Sequence, residues 1–273
     1  MTMALPVAVL PIGSQWRWMR WMFRYLPLAL FVAVWQGVVD LGVVNHQFLP
    51  SFTQTIGALW EMTRNGEITW NLWVSTYRSL GGLAIGSLLG IVLGLVMATS
   101  PGADRFFAPL VATTYSLPKS SLIPLFILWF GVGDMTAMLT VVLACLLPVI
   151  VGTYQGVKAV PPITLWSARA MGTPRHVMLW RILLPAAMRS ILTGVRIALG
   201  FCFVLTISAE MIAAKAGIGK LIFLYGENGA YPYMFGGLLA IMVVAYAADR
   251  GLIVGMDYLL RWDDSVHAGA EHE

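Results

Sequence analysis

The chain has 273 residues, of which 59% are hydrophobic and 11% charged, with a formal net charge of +4 at pH 7. A water-soluble domain carries about 25% charged residues, so this chain has too little polar surface to cover itself in water and belongs in a bilayer. Cys145 and Cys202 fall in apolar runs with no Cys/His ligand spacing around them, which implies neither a disulfide framework nor a zinc site.

In chain order, the apolar "ALPVAVLPIG" (residues 4–13) precedes the basic, aromatic "WRWMRWMFR" (Trp16–Arg24). This reverses the order of a cleavable signal peptide, so the segment is expected to be retained. A helix crosses the hydrocarbon core with roughly 20 mainly apolar residues. Six stretches meet that requirement: Leu26–Val44, Thr76–Thr99, Phe106–Phe130, Met135–Val157, Ala186–Ala213 and Met234–Leu260. The expected fold is an all-α membrane protein. Residues 1–48 hold an N-terminal segment and the first helix. Residues 49–75 form an amphipathic external segment, with Ser51 or Thr53 as its helix cap. Residues 76–262 form the membrane core, interrupted by a polar loop at 158–185, and residues 263–273 form an acidic tail expected to be disordered.

Placing both termini and the polar loop in the cytoplasm puts Arg17, Arg20, Arg24, Arg105, Lys158, Arg169, Arg175, Arg181, Arg189 and Arg261 inside. Arg64, Arg78, Lys215 and Lys220 fall outside, an asymmetry that fits the positive-inside rule. Trp16, Trp18, Trp21, Trp60, Trp70 and Trp73 lie next to span ends, as an interfacial aromatic belt does. Gly82, Gly86, Gly90 and Gly94 recur every four residues in the second span and make a face where another helix approaches closely. An intramolecular contact is expected there, with a subunit interface as the alternative.

The third span contains "TTYSLPKSSLIPLF". Pro118 and Pro124 each remove a backbone donor, so the helix is expected to unwind locally. Tyr115, Lys119, Ser120 and Ser121 then offer one cation and several hydroxyls to an anion in transit. The competing reading has Lys119 reaching to the membrane interface. Late in the fifth span, Glu210 is expected to gate or to hold structure, by pairing with Lys215 or by bonding a facing subunit. Arg196 and Asp249–Arg250, also within apolar stretches, read as an interior polar pair ahead of a substrate contact. His176 has no nearby carboxylate or cysteine, which argues against metal binding or acid–base catalysis.

The polar loop "SARAMGTPRHVMLWRILLP" (Ser167–Pro185) predicts two short helices. The first covers about Pro162–Met171, Gly172 makes the bend, and the second opens with Thr173 as N-cap and Pro174 at the first helical position. Pro185 is expected to break the helical pattern where the fifth span begins. Gly172, nine further residues, then Ile182, Leu184 and Pro185 reproduce the spacing of the EAA loop signature. The chain thereby resembles permease subunits of binding-protein-dependent ABC importers. "IPLFILWFGVGD" (Ile123–Asp134) and "ILTGVRIALG" (Ile191–Gly200) are similar to the nitrate, sulfonate, taurine and bicarbonate branch. The family's Glu-Ala-Ala falls on Trp166, Ser167 and Ala168, so its glutamate is missing.

The resemblance covers about Leu49–Leu260 and implies a type I importer permease fold that works as a dimer in the inner membrane. Two separate ATPase subunits would bind ATP and Mg, and a periplasmic or lipid-anchored binding protein would deliver a small anion: a sulfonate, nitrate, or an organic or aromatic carboxylate. Trp166, Ser167, Ala168, Arg169, Gly172, Thr173, Pro174, Arg175 and His176 would meet the ATPase. No Walker-A motif occurs; "GIGKL" (Gly217–Leu221) lacks the leading glycine and the hydroxyl residue. No cofactor is expected on this chain, and it is not expected to be an enzyme. The alternative is a self-contained channel, secondary transporter or membrane enzyme; no paired carboxylates or inverted repeat of spans support it.

Overall fold

The computed structural model describes residues 15–45 and 48–261, with 15–24 described by backbone alone. The expectations for residues 4–13, for the Trp16, Trp18 and Trp21 side chains and for the tail 263–273 lie outside the described residues. Among the described residues every regular element is helical. The helices are α1 (Gln15–Asp40), α2 (Phe52–Arg64), α3 (Glu67–Thr99), α4 (Pro101–Tyr115), α5 (Ile123–Phe130), α6 (Asp134–Lys158), α7 (Pro162–Ala170), α8 (Arg175–Met178), α9 (Leu184–Ala213), α10 (Ile218–Glu227) and α11 (Tyr231–Leu259).

α3, α6, α11 and the unbroken run from α8 through α9 (Arg175–Ala213) are each long and apolar enough to cross a membrane. Two of the six expected spans depart from that description. The first is a shorter apolar helix, Tyr25–Asp40. The third is broken: α4 ends at Tyr115, a 3-10 turn follows at Lys119–Leu122, and α5 resumes at Ile123.

The glycine stripe of α3 faces α6 of the same chain. A Cβ on Gly86 would lie 2.8 Å from the Val142 carbonyl oxygen and 2.9 Å from Cys145 Cβ. One on Gly90 would lie 2.8 Å from Val149 Cβ, and one on Gly94 2.7 Å from Thr153 Cβ. Without a Cβ the two backbones approach to direct contact, which replaces the hydrophobic drive that lipid does not supply. The opposite face of α6 repeats the device: a Cβ on Gly152 would lie 2.7 Å from the Ser190 carbonyl of α9. The core is therefore α3, α6 and α9, with Val141, Cys145, Ala198 and Cys202 wholly buried between them.

Ser51 caps α2 in a reciprocal box: its Oγ accepts from the Gln54 amide at 3.2 Å, and Gln54 Oε1 accepts from the Ser51 amide at 3.0 Å. Gly66, at φ +79°, then redirects the chain into α3. α3 starts at Glu67, so the second half of the expected external segment forms the first turns of a 33-residue helix. Trp60, Trp70 and Trp73 are exposed on these outer turns. α2 docks on α11 through Met62, which is fully buried against Gly236. Trp35 ties α1 to this layer by donating to the Pro50 carbonyl at 3.0 Å and packing on Phe52 and Phe235.

At the same end, the stacked rings of Tyr225 and Tyr233 (centroids 5.1 Å apart) donate to Glu67 and Glu61. Burial and the Glu67 carboxylate push the Tyr225 phenol up to about 12, which keeps it a donor.

Candidate functional site

α7 and α8 form a hairpin at the end of the core that also holds the α6 C-terminus. α7 ends because Gly172 adopts φ +73° and closes a Schellman arrangement: its amide donates to Arg169 O at 2.9 Å, and the Thr173 amide donates to Ala168 O at 3.1 Å. The space around Gly172 is open, so a side chain there would be opposed by backbone conformation and not by a neighbour. The second helix starts one residue later than its sequence suggests. Pro174 is the N-cap, Arg175 is the first helical residue, and no side chain, Thr173 included, caps it.

Ala168 and Met178 anchor the hairpin inward. Outward it presents Ile163, Trp166, Met171 and Trp180, each more than 60% exposed, together with exposed Arg169, Arg175 and His176. Large apolar side chains clustered with cations have the composition of a protein contact. Trp166, standing where the family signature has glutamate, makes this face more apolar. Ser167 is exposed on the same helix.

Pro185 does not end the helix. Its missing amide would leave the Arg181 carbonyl unpaired, and the chain responds by widening to a π turn over Leu179–Leu183, with the Leu184 amide bonding Leu179 O. α8 therefore runs directly into α9 as one 39-residue helical run. The expected break is a bulge, and the bulge preserves a mechanical connection.

The break in the third span brings Tyr115, Lys119, Ser120 and Ser121 together over one turn. Lys119 Nζ donates to the Tyr115 carbonyl at 2.7 Å and lies 5.0 Å from that ring's centroid. The ammonium thus sits where the C-terminal carbonyls of α4 need a cation. Ser121 Oγ donates to Pro118 O at 2.7 Å, while Ser120 is exposed. Part of this polar chemistry therefore serves the interrupted backbone. Three donors on the ammonium leave two beyond the Tyr115 bond.

Glu210 is wholly buried, and its partner is Arg78, not the exposed Lys215. Its Oε1 accepts from Arg78 Nη1 at 2.7 Å, and its Oε2 accepts from Ser75 Oγ at 2.7 Å and from the Gly219 amide at 2.9 Å. Arg78, counted with the outer-side cations in the sequence, is 3% exposed. It also donates to the Ala216 carbonyl at 2.6 Å and pairs with the exposed carboxylate of Asp134. One guanidinium thus ties α3, the start of α6, the end of α9 and the α9–α10 turn. Charge in the sequence pointed to Arg78 and Glu210 separately; pairing across 132 positions left no local signal.

Arg196 and Asp249 form the expected pair, at 2.9 and 3.2 Å, but it is half exposed and not interior. At the α7 end, Asp104 accepts from Tyr154 Oη at 3.0 Å and lies 3.8 Å from Lys158 Nζ.

Residues 86–252 match the family described as "Binding-protein-dependent transport system inner membrane component". The chain is 31% identical over 244 residues to the taurine transport system permease protein of Escherichia coli K12, covering 88% of this chain and 89% of that one. It is 31% identical to a second protein of that strain, named as an aliphatic sulfonates transport permease, covering 91% of this chain and 95% of that one. A homologous protein of Bacillus subtilis 168 with the same designation is 29% identical, covering 90% and 89%. Among solved structures, the inward-facing MetNI methionine ABC transporter superposes with a TM-score of 0.61 at 18% identity, covering 73% of this chain and 96% of that one. The fold is thus that of a type I ABC importer permease.

Proposed function

Because the chain belongs to the binding-protein-dependent transport system inner membrane components, and so is an integral permease subunit of an ABC importer, we propose that two copies form the pathway for a small aliphatic sulfonate such as taurine. Separate subunits bind ATP and Mg, and a periplasmic or lipid-anchored protein delivers the solute. The relatives' names support the sulfonate class over nitrate or a carboxylate. In this reading both termini and the α7–α8 hairpin lie in the cytoplasm, in line with the arginine distribution.

The observation that carries the reading is the unbroken helical run from Arg175 to Ala213. Trp166, Ser167, Arg169, Gly172, Thr173, Pro174, Arg175 and His176 form the contact with the ATPase, while Ala168, expected there from the signature, is buried and supports the hairpin from within. A displacement of the contact's Arg175–His176 part passes through the π turn into α9 within one helical run. ATP binding draws the two hairpins together and opens the pathway outward, and hydrolysis resets it. Lys119 and its neighbouring hydroxyls at Tyr115, Ser120 and Ser121 contribute a weak cationic stop for the anion. The Arg78–Glu210 cluster holds the α9–α10 turn at the far end.

The test is uptake of labelled taurine and of a short alkanesulfonate by cells with and without this chain. Loss of both, with nitrate uptake intact, is the expected result. Sulfonate uptake unchanged by deletion overturns the proposal.

A further inference from the structure

A groove of about 700 Å³ runs between α9 and α11, lined by apolar side chains including Ile197, Phe203, Val204 and Met242. Its charged lining consists of Arg196 and Asp249. Arg196 lies roughly 15–18 Å along the axis from the Leu184 end of α9, and Asp249 lies at a matching depth from the Leu259 end of α11. Both are near the middle of spanning helices. The side chains are 49% and 32% exposed. An ion pair open to hydrocarbon at that depth is costly, so the face does not look onto lipid.

The pairing is also incomplete. Arg196 Nε and Nη2 donate to the two Asp249 oxygens. A guanidinium has five N–H donors, and its Nη1 has no partner among the described residues. An occupant that supplies oxygen acceptors to that edge and an alkyl body to the apolar walls satisfies both halves of the groove.

We propose that this groove is a transient site for the aliphatic sulfonate itself, with its oxyanion head on the free edge of Arg196 and its short carbon chain along Ile197, Gly200 and Ala245, which lie within about two helical turns of the Arg196–Asp249 pair. The proposal rests on the sulfonate reading above and adds the place in this chain where the solute is held. Asp249 cancels the net charge of the site. The anion is then held by directional hydrogen bonds without a full Coulomb well, and a transit site has to release what it binds. Asp249 also fixes the guanidinium plane, so it is a positioning residue for Arg196.

Two measurements on the complete transporter, reconstituted with its ATPase and binding protein, test the site. In the first, Ile197→Cys introduces an accessible thiol in addition to the wholly buried Cys145 and Cys202. A water-soluble thiol reagent that carries a sulfonate group should label it, and a short alkanesulfonate should slow the labelling. No labelling, or a disulfide between two copies at this position, overturns the proposal. In the second, the neutral pair Arg196→Gln/Asp249→Asn is compared with unaltered protein at equal amounts of intact complex. Uptake should fall about tenfold or more, as loss of a charge-assisted bond to the solute predicts. Uptake at the unaltered rate makes the pair a structural tie only and overturns the site. Absence of sulfonate uptake by the unaltered protein is a distinct outcome, which overturns the transport reading on which the site rests.

Discussion

The two ends of the helical core are tied by charge in opposite ways. At the end away from the α7–α8 hairpin, Glu210 and Arg78 are 0% and 3% exposed, and backbone groups of the α9–α10 turn complete the cluster. At the hairpin end, Asp104, Tyr154 and Lys158 join α4 to α6 through one hydrogen bond and a 3.8 Å ion pair whose partners are 26% and 49% exposed. A buried, fully bonded pair is expensive to break because each charge left behind has nowhere to go. An exposed pair exchanges its partner for water at little net cost. The core therefore has one fixed end and one yielding end, and the yielding end carries the ATPase contact of the proposed mechanism.

The largest expected effect tests the fixed end. Glu210→Ala leaves the Arg78 guanidinium buried with only Asp134 and a carbonyl for partners, and should lower stability by about 3–5 kcal/mol. Thermal unfolding of the detergent-solubilised protein measures it. Arg78→Met/Glu210→Leu should be much milder than either single change, since it removes both charges. If Glu210→Ala unfolds at the unaltered temperature, the contrast between the two ends is gone.

Gly217→Ala probes the same end from its turn. Gly217 has φ +127°, and a Cβ there would fall on the Glu210 carboxyl. Strain and displacement together should cost about 1–3 kcal/mol, again read by thermal unfolding. A neutral result would mean that the cluster moves freely and does not define the turn.

How far the sequence foretold these ends depends on whether their causes are local. The Ser51–Gln54 cap, the bend at Gly172 and the unwinding around Pro118 follow from residues within a few positions of one another, and each stands close to where the pattern puts it. Pro185 was legible as a breaker but not as a bulge, because the remedy is a backbone relaxation two to six residues upstream. For Glu210 the sequence offers Lys215 or a facing subunit and not Arg78, because proximity in sequence is the only clue a charge offers before helices are packed. α3 puts Ser75 and Arg78 beside it, and nothing near Glu210 announces that. The glycine stripe announced a close contact, and only the packed core identified α6 as the partner.

At the hairpin, Gly172→Val should cost about 1–2 kcal/mol, confined to the turn because no neighbour is struck. The membrane core should unfold at nearly its usual temperature. ATP hydrolysis by the assembled transporter should continue while uptake falls, since the contact loses its shape while α9 does not. Proportionate loss of both activities would show that Gly172 serves assembly and not transmission.

The smallest effect belongs to the yielding end and bears hardest on the comparison. Lys158→Ala removes an ion pair at 3.8 Å between partly exposed partners, together with a ring contact on Tyr154 at 5.4 Å. Asp104 keeps its hydrogen bond from Tyr154. Stability should change by less than about 1 kcal/mol, and by still less at high salt, because salt screens an exposed pair. The informative quantity is the ratio to Glu210→Ala measured under the same conditions. A ratio near one would require Lys158 and Asp104 to be desolvated in the assembled transporter. The hairpin end would then be a second fixed lock, and the displacement that drives transport would have to arise elsewhere in the core.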